Sequence, residues 1–215
     1  VTDMSGMFLD ANALSDGNKC VIHSSFSQQN ENWPYDWSGF CAIDGYTFVP
    51  DDNFEQALID LGYDDILDNY VLTENISGVT ELDVSSKEIG NLTGIEDFTA
   101  LSSLYCRDNQ LTNLDISNNT ALVRLDLYAN GLTNLDIISN TALEYLNCND
   151  NQLTSLDVSN NTVLDDLRIA YNQLTILDVS NNTVLTSLDI HGNELTDLDI
   201  SNNPELKHLG VSSNN

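Results

Sequence analysis

Leu122-Val123-Arg124-Leu125-Asp126-Leu127-Tyr128-Ala129-Asn130-Gly131-Leu132-Thr133-Asn134-Leu135-Asp136-Ile137-Ile138-Ser139-Asn140 writes one short phrase twice. Leu125 and Leu127 alternate with polar neighbours, the period of two expected of a half-buried strand. Asn130 follows where the strand gives way to a turn, and a short amide there can bond to turn backbone. From Leu132 the phrase recurs and closes on Asn140. One coil of 21 residues thus holds two related halves, of 10 and 11 residues. Working outward, the first-half asparagines fall at Asn109, Asn130, Asn151, Asn172, Asn193 and Asn214, and the second-half ones at Asn119, Asn140, Asn161, Asn182 and Asn203. A fixed period of this length means stacked coils, with each asparagine column forming a ladder that satisfies inward backbone groups.

Neither half has room for a helix of useful length. The expectation is a flat, right-handed, mainly β solenoid with a short parallel strand on each face. Its core columns run Leu104, Leu125, Leu146, Leu167, Leu188, Leu209 and Leu114, Leu135, Leu156, Leu177, Leu198. The pattern resembles bacterial leucine-rich repeats, specifically the nested 21-residue class called IRREKO, over residues 101–214. Residues 81–101 form an irregular coil (Leu82, Val84, Ile89, Leu92, Ile95), with 22 residues from Leu82 to the next strand leucine Leu104, that resembles internalin-type spacing.

A solenoid end exposes core and strand edges and needs a cover. Residues 50–78 read as a small helical cap. Asp51 caps an amphipathic helix that Gly62 stops, Phe54, Leu58 and Leu61 form its apolar face, and a second helical turn follows. Residues 79–215 are the repeats. Residues 1–49 differ: Val1-Thr2-Asp3-Met4-Ser5-Gly6-Met7-Phe8 resembles a unit of BspA-like surface-protein repeats, which implies a large secreted or cell-surface protein of Bacteroidota type. The start at Val1 and the stop at Ser213-Asn214-Asn215, inside a repeat, are expected of a fragment. That stop would leave Leu209 and Val211 near an open edge, where an otherwise monomeric chain can make end-to-end contacts.

The chain carries 34 acidic and 6 basic side chains, a formal net charge of -28. It therefore repels phosphate backbones and anionic lipid, so nucleic acid and membrane insertion are excluded as expectations. No apolar run approaches the roughly 20 residues of a membrane-spanning helix. Cys20 and Cys41 can form a disulfide if the protein is exported. Cys106 and Cys148 share one core column two coils apart, about twice the roughly 4.8 Å strand spacing, which exceeds disulfide reach. They read as buried thiols.

The second half of the coil is monotonous, whereas the first half varies at its outward positions. The chain's three arginines (Arg107, Arg124, Arg168) all lie there, with four of its eight tyrosines and two of its three histidines. Candidate ligand-binding residues are Tyr105, Arg107, Arg124, Asp126, Tyr128, Tyr145, Asn147, Asp166, Arg168, Tyr171, Asp189 and His191. Arg, Tyr, Asp, Asn and His together suit a glycan or protein partner. The plainer alternative is that strand faces tolerate Tyr and that the arginines neutralise neighbouring Asp. Asp115, Asp136, Asp157, Asp178 and Asp199 form a ladder that reads either as a row of Ca2+ sites or as a hydrated face bonding Ser, Thr and turn amides, and the few ligands per rung favour the latter.

No catalytic motif occurs. The expected function is a non-catalytic, cofactor-free, extracellular recognition or adhesion module. The alternatives are a structural spacer or a targeting appendage of a polysaccharide-degrading enzyme.

Overall fold

A computed structural model of the chain describes residues 44–215. The BspA-like segment and the Cys20–Cys41 pairing lie outside these residues. Seven three-residue strands make one parallel sheet: β3 (Glu81–Asp83), β4 (Ser103–Tyr105), β5 (Arg124–Asp126), β6 (Tyr145–Asn147), β7 (Asp166–Arg168), β8 (Ser187–Asp189) and β9 (His208–Gly210). The strands neighbour one another in chain order. The register is fixed by leucine on leucine: Leu82, Leu104, Leu125, Leu146, Leu167, Leu188 and Leu209 are successive partners. Because the side-chain period is two, the residues on either side of each leucine all point outward. The leucine-rich repeat solenoid expected from the sequence is thus the observed fold. It has few helices.

The first asparagine ladder ties each coil to the one before it. Asn130 Nδ2 donates to the carbonyls of Cys106 (3.0 Å) and Leu127 (3.1 Å), while its Oδ1 accepts from the Leu111 amide (3.0 Å). The second ladder works differently. Asn140 Nδ2 donates to the carbonyls of Ile116 (3.0 Å) and Asn119 (3.0 Å), and its Oδ1 is buried without a partner, as in Asn119, Asn161, Asn182 and Asn203.

The strand expected on the second face does not form among the described residues. The physical reason lies in local turns. Each ladder aspartate takes the amide two residues on, as Asp157 does from Ser159 (2.9 Å), and the next amides close a tight turn, as Asn161 to Val158 (3.0 Å). Amides spent on turns cannot build a ladder between coils. Grooves open between the coils on this side.

The cap covers the first coil. Helix α1 (Asp52–Asp60) begins at Asp51, whose Oδ1 accepts from the amides of Asn53 (3.1 Å) and Phe54 (3.0 Å). Its other oxygen accepts from the amides of Gly90 and Asn91 at 2.9 Å each, so one carboxylate both starts the helix and locks it to the solenoid. Phe54, Ala57 and Leu58 are buried, and the Phe54 ring sits 6.3 Å from that of Phe98. Leu61, expected on the same apolar face, is 46% exposed. It is the C-cap residue, where the chain turns away through Gly62 in the left-handed region. The second helical turn is α2 (Thr73–Ile76). A two-stranded antiparallel sheet, β1 (Tyr46–Phe48) with β2 (Tyr70–Leu72), was not expected from the sequence.

Candidate functional site: the outward strand face

Strand register assembles the variable residues into columns. Arg124, Tyr145, Asp166 and Ser187 are successive neighbours, and so are Tyr105, Asp126, Asn147, Arg168 and Asp189. Two residues beyond each strand stand Arg107, Tyr128, Asn149, Ala170 and His191. The sequence-derived candidates therefore do share one face.

Their charges largely pair within that face. Arg168 grips Asp166 with two bonds, Nε to Oδ1 at 3.1 Å and Nη2 to Oδ2 at 2.7 Å, and its guanidinium lies 5.4 Å from the Tyr145 ring centre. The Asp166 carboxylate raises the Arg168 pKa further. Arg107 Nε lies 3.5 Å from Asp126 Oδ2. Asp126 and Asn147 are buried and bond to each other at 3.0 Å. Little of either side chain is therefore open to a partner in this structure. Burial pushes the Asp126 carboxyl up, against the opposing pull of the Tyr128 amide, Arg107, Arg168 and Asn147. Burial likewise raises Tyr145.

At the far end Asp189 Oδ1 bonds to His191 Nδ1, and the edge of one ring meets the face of the other where Tyr171 and His191 centres lie 4.5 Å apart. Among the described residues no hydroxyl is hydrogen-bonded to His191.

The residue just before each ladder asparagine takes a left-handed backbone: Asp108 (52°), Ala129 (53°), Asp150 (55°), Tyr171 (54°), Gly192 (67°) and Ser213 (59°). Aspartate and glycine tolerate that conformation, and a bulky aromatic adopts it at a cost. Tyr171 nonetheless stands there, 54% exposed. One glycine makes room around it and a second makes room beside Asp189. A Cβ on Gly192 would sit 2.6 Å from Tyr171 Cδ1, and one on Gly210 would sit 2.5 Å from Asp189 Oδ1. Sequence reasoning missed these glycines, although both interrupt columns otherwise filled by side chains.

The opposite face gives no comparable departure. Its aspartates accept turn amides, with Asp115, Asp157, Asp178 and Asp199 held below the usual carboxylate range by their bonds to Ser117, Ser159, Ser180 and Ser201. Among the described residues no group of three or more His, Cys, Asp or Glu is placed to hold a metal ion. One groove there, of about 490 Å³, is lined by repeated residues such as Thr175, Leu177, Asp178 and Asp199. Such grooves follow from coil spacing and the repeat, so the strand face is the better candidate despite being flatter. Cys106 and Cys148 are buried free thiols, and burial pushes both far above the ordinary thiol range. No helix among the described residues is long and apolar enough to cross a membrane.

No family model matches the chain. It is 42% identical over 73 residues to internalin J of Listeria monocytogenes, a match covering 34% of this chain and 8% of that protein. The solved functional domain of InlJ from Listeria monocytogenes, described as including a cysteine ladder, is 35% identical with a TM-score of 0.64. That likeness covers 79% of this chain and 43% of the other, so the chain spans less than half of that structure. A leucine-rich repeat protein of Leptospira interrogans is 29% identical over 56% of this chain and 33% of its own, TM-score 0.54. Internalin C2 of Listeria monocytogenes shares the fold alone, at 23% identity and TM-score 0.60 over 80% of this chain and 90% of its own. Repeat, register and these likenesses together make the chain a leucine-rich repeat protein similar to the bacterial internalins.

Proposed function

We propose that the chain is a non-catalytic recognition module that docks a protein partner on the outward face of β4–β8, as part of a secreted or surface-exposed bacterial protein. One observation carries the reading: Tyr171 keeps an exposed aromatic ring at a turn position whose backbone favours glycine. Within the described chain the ring's one aromatic contact is with His191. Unfavourable backbone conformations cluster at binding and catalytic sites, where the surrounding structure holds them. Likeness to internalin J supports a recognition role.

The test is a pair of binding screens, against arrayed extracellular proteins and against arrayed glycans. Wild-type protein is compared with Arg168→Ala and Tyr171→Ala. Protein ligands lost in both variants, at unchanged melting temperature, support the proposal. Ligands confined to the glycan array replace the partner class. Wild-type and variant profiles that match, or that are both blank, leave the chain as a spacer that positions other domains.

A further inference from the structure

The charges on the strand face do not cancel completely, and the remainder specifies what a partner must bring. Arg107 faces Asp126, Arg168 is held by Asp166, and His191 by Asp189. Several exposed charges there have no ion-pair partner among the described residues, and three of them lie close together around the β5 coil: Arg124 at the start of β5, and Asp108 and Asp150 just past β4 and β6. The two aspartates belong to coils two rungs apart, with the Tyr128 coil between them. The Asp108 amide donates to the Tyr128 carbonyl at 2.9 Å, and Asp150 holds the equivalent position two coils on, so the two carboxylates flank the Tyr128 coil. The charge of Asp150, then burial, then Asp108 push the phenol up. Arg107, the nearest cation in the same column, is turned toward Asp126.

Resting on the docking role above, we propose that the partner is a protein segment that brings a lysine or arginine onto Tyr128 between Asp108 and Asp150, and an aspartate or glutamate onto Arg124. A half-buried aromatic ring flanked by carboxylates attracts an organic cation through both ring and charge. Two rungs separate the carboxylates by about 10 Å, too far to share one metal ion but wide enough to seat a guanidinium or ammonium over the ring. Arg124 and Tyr128 lie four residues apart along an extended chain, so the partner's opposite charges stand about 13 Å apart. The pattern therefore gives the partner a direction across the face as well as a sign. A net charge of -28 would draw cations to the whole surface, and the strand face adds an arginine without an ion pair beside a ring flanked by carboxylates.

An unbiased random-peptide display library panned against the intact protein tests this. The proposal expects selected peptides to carry both a basic and an acidic residue. They should bind the Asp108→Asn/Asp150→Asn protein and the Arg124→Ala protein at least about fivefold more weakly. The charge-matched Asp157→Asn/Asp178→Asn protein, altered on the opposite face, should bind within twofold of wild type. Equal losses in the two Asp→Asn pairs mean general charge attraction and overturn the proposal. Peptides weakened by Arg168→Ala and Tyr171→Ala but not by the Asp or Arg124 changes overturn the charge pattern and leave the docking face standing. Peptides indifferent to every face substitution, or no enriched peptide at all, overturn both.

Discussion

The ring of Tyr171 lies against the backbone of Gly192, so closely that a Cβ there would meet Tyr171 Cδ1 at 2.6 Å. Each residue explains the other. Gly192 also sits in the left-handed region, so Gly192→Ala combines backbone strain with overlap. The expected loss is about 1–2 kcal/mol. In a Tyr171→Gly background the overlap is gone and the same substitution should cost about half as much. A double-mutant cycle by urea unfolding reads that coupling, and additive losses would show that ring and glycine are independent.

Tyr171→Gly alone removes a bulky residue from a conformation that costs it about 1 kcal/mol. It also gives up the edge-to-face contact with His191. Melting should stay level or rise by a few degrees, while binding on the strand face falls. Stability gained at the expense of recognition is the mark of a functional residue. A substantial drop in melting temperature would instead make Tyr171 a structural residue.

The two asparagine ladders look alike in sequence and should differ in worth. Asn151 donates to the carbonyls of Leu127, Cys148 and Asn149 and accepts from the Leu132 amide. Asn151→Ala strands that buried amide and should cost about 3–4 kcal/mol. Asn161 donates to the carbonyls of Ile137 and Asn140, but its own oxygen already lacks a partner. Asn161→Ala should therefore cost about 1–2 kcal/mol less, with an unchanged urea m-value in both. Equal losses would mean that water fills the second ladder's acceptor sites.

Such differences mark where the sequence stops being legible. The leucine columns and both asparagine columns follow from spacing, because a 21-residue period admits one register. The outward clustering of Arg, Tyr and His was legible for the same reason. The missing second strand was not, since Asp157 looks like any outward polar residue until its bond to the Ser159 amide is seen. The double role of Asp51, at the α1 start and at Gly90, depends on a contact 39 residues away in sequence. Tyr171 was visible as an unusual residue, but not as one in a left-handed turn cleared by Gly192. That needs the backbone angles.

Cys106 and Cys148 are fully buried with their thiols held protonated. A thiol reagent should label neither in the native protein at pH 8, and both on unfolding in denaturant. Rapid native labelling would mean that the coils open locally around this core column.

Acidification should act in two opposed stages. Glu55, Asp64 and Asp126 have pKa values raised chiefly by burial. A carboxyl raised in the folded state binds its proton more tightly there than in the unfolded chain. These groups therefore cost stability at neutral pH, and that cost disappears as pH falls through their raised values. Asp115, Asp157, Asp178 and Asp199 are shifted the other way by their bonds to serines. Their contribution is complete above the ordinary aspartate value of about 3.9 and is lost as pH drops through their lowered values. Relief of self-repulsion at a net charge of -28 adds to the first stage. Melting temperature should thus rise as pH falls from neutral toward the raised carboxyl values, then fall steeply once pH passes below the ordinary aspartate value of about 3.9. Asp126→Asn keeps an amide able to accept from the Tyr128 backbone and removes one raised group. It should lift the melting temperature at neutral pH more than at the maximum and so flatten the first stage. A variant curve parallel to wild type would show that Asp126 is ionised at no cost in the folded protein.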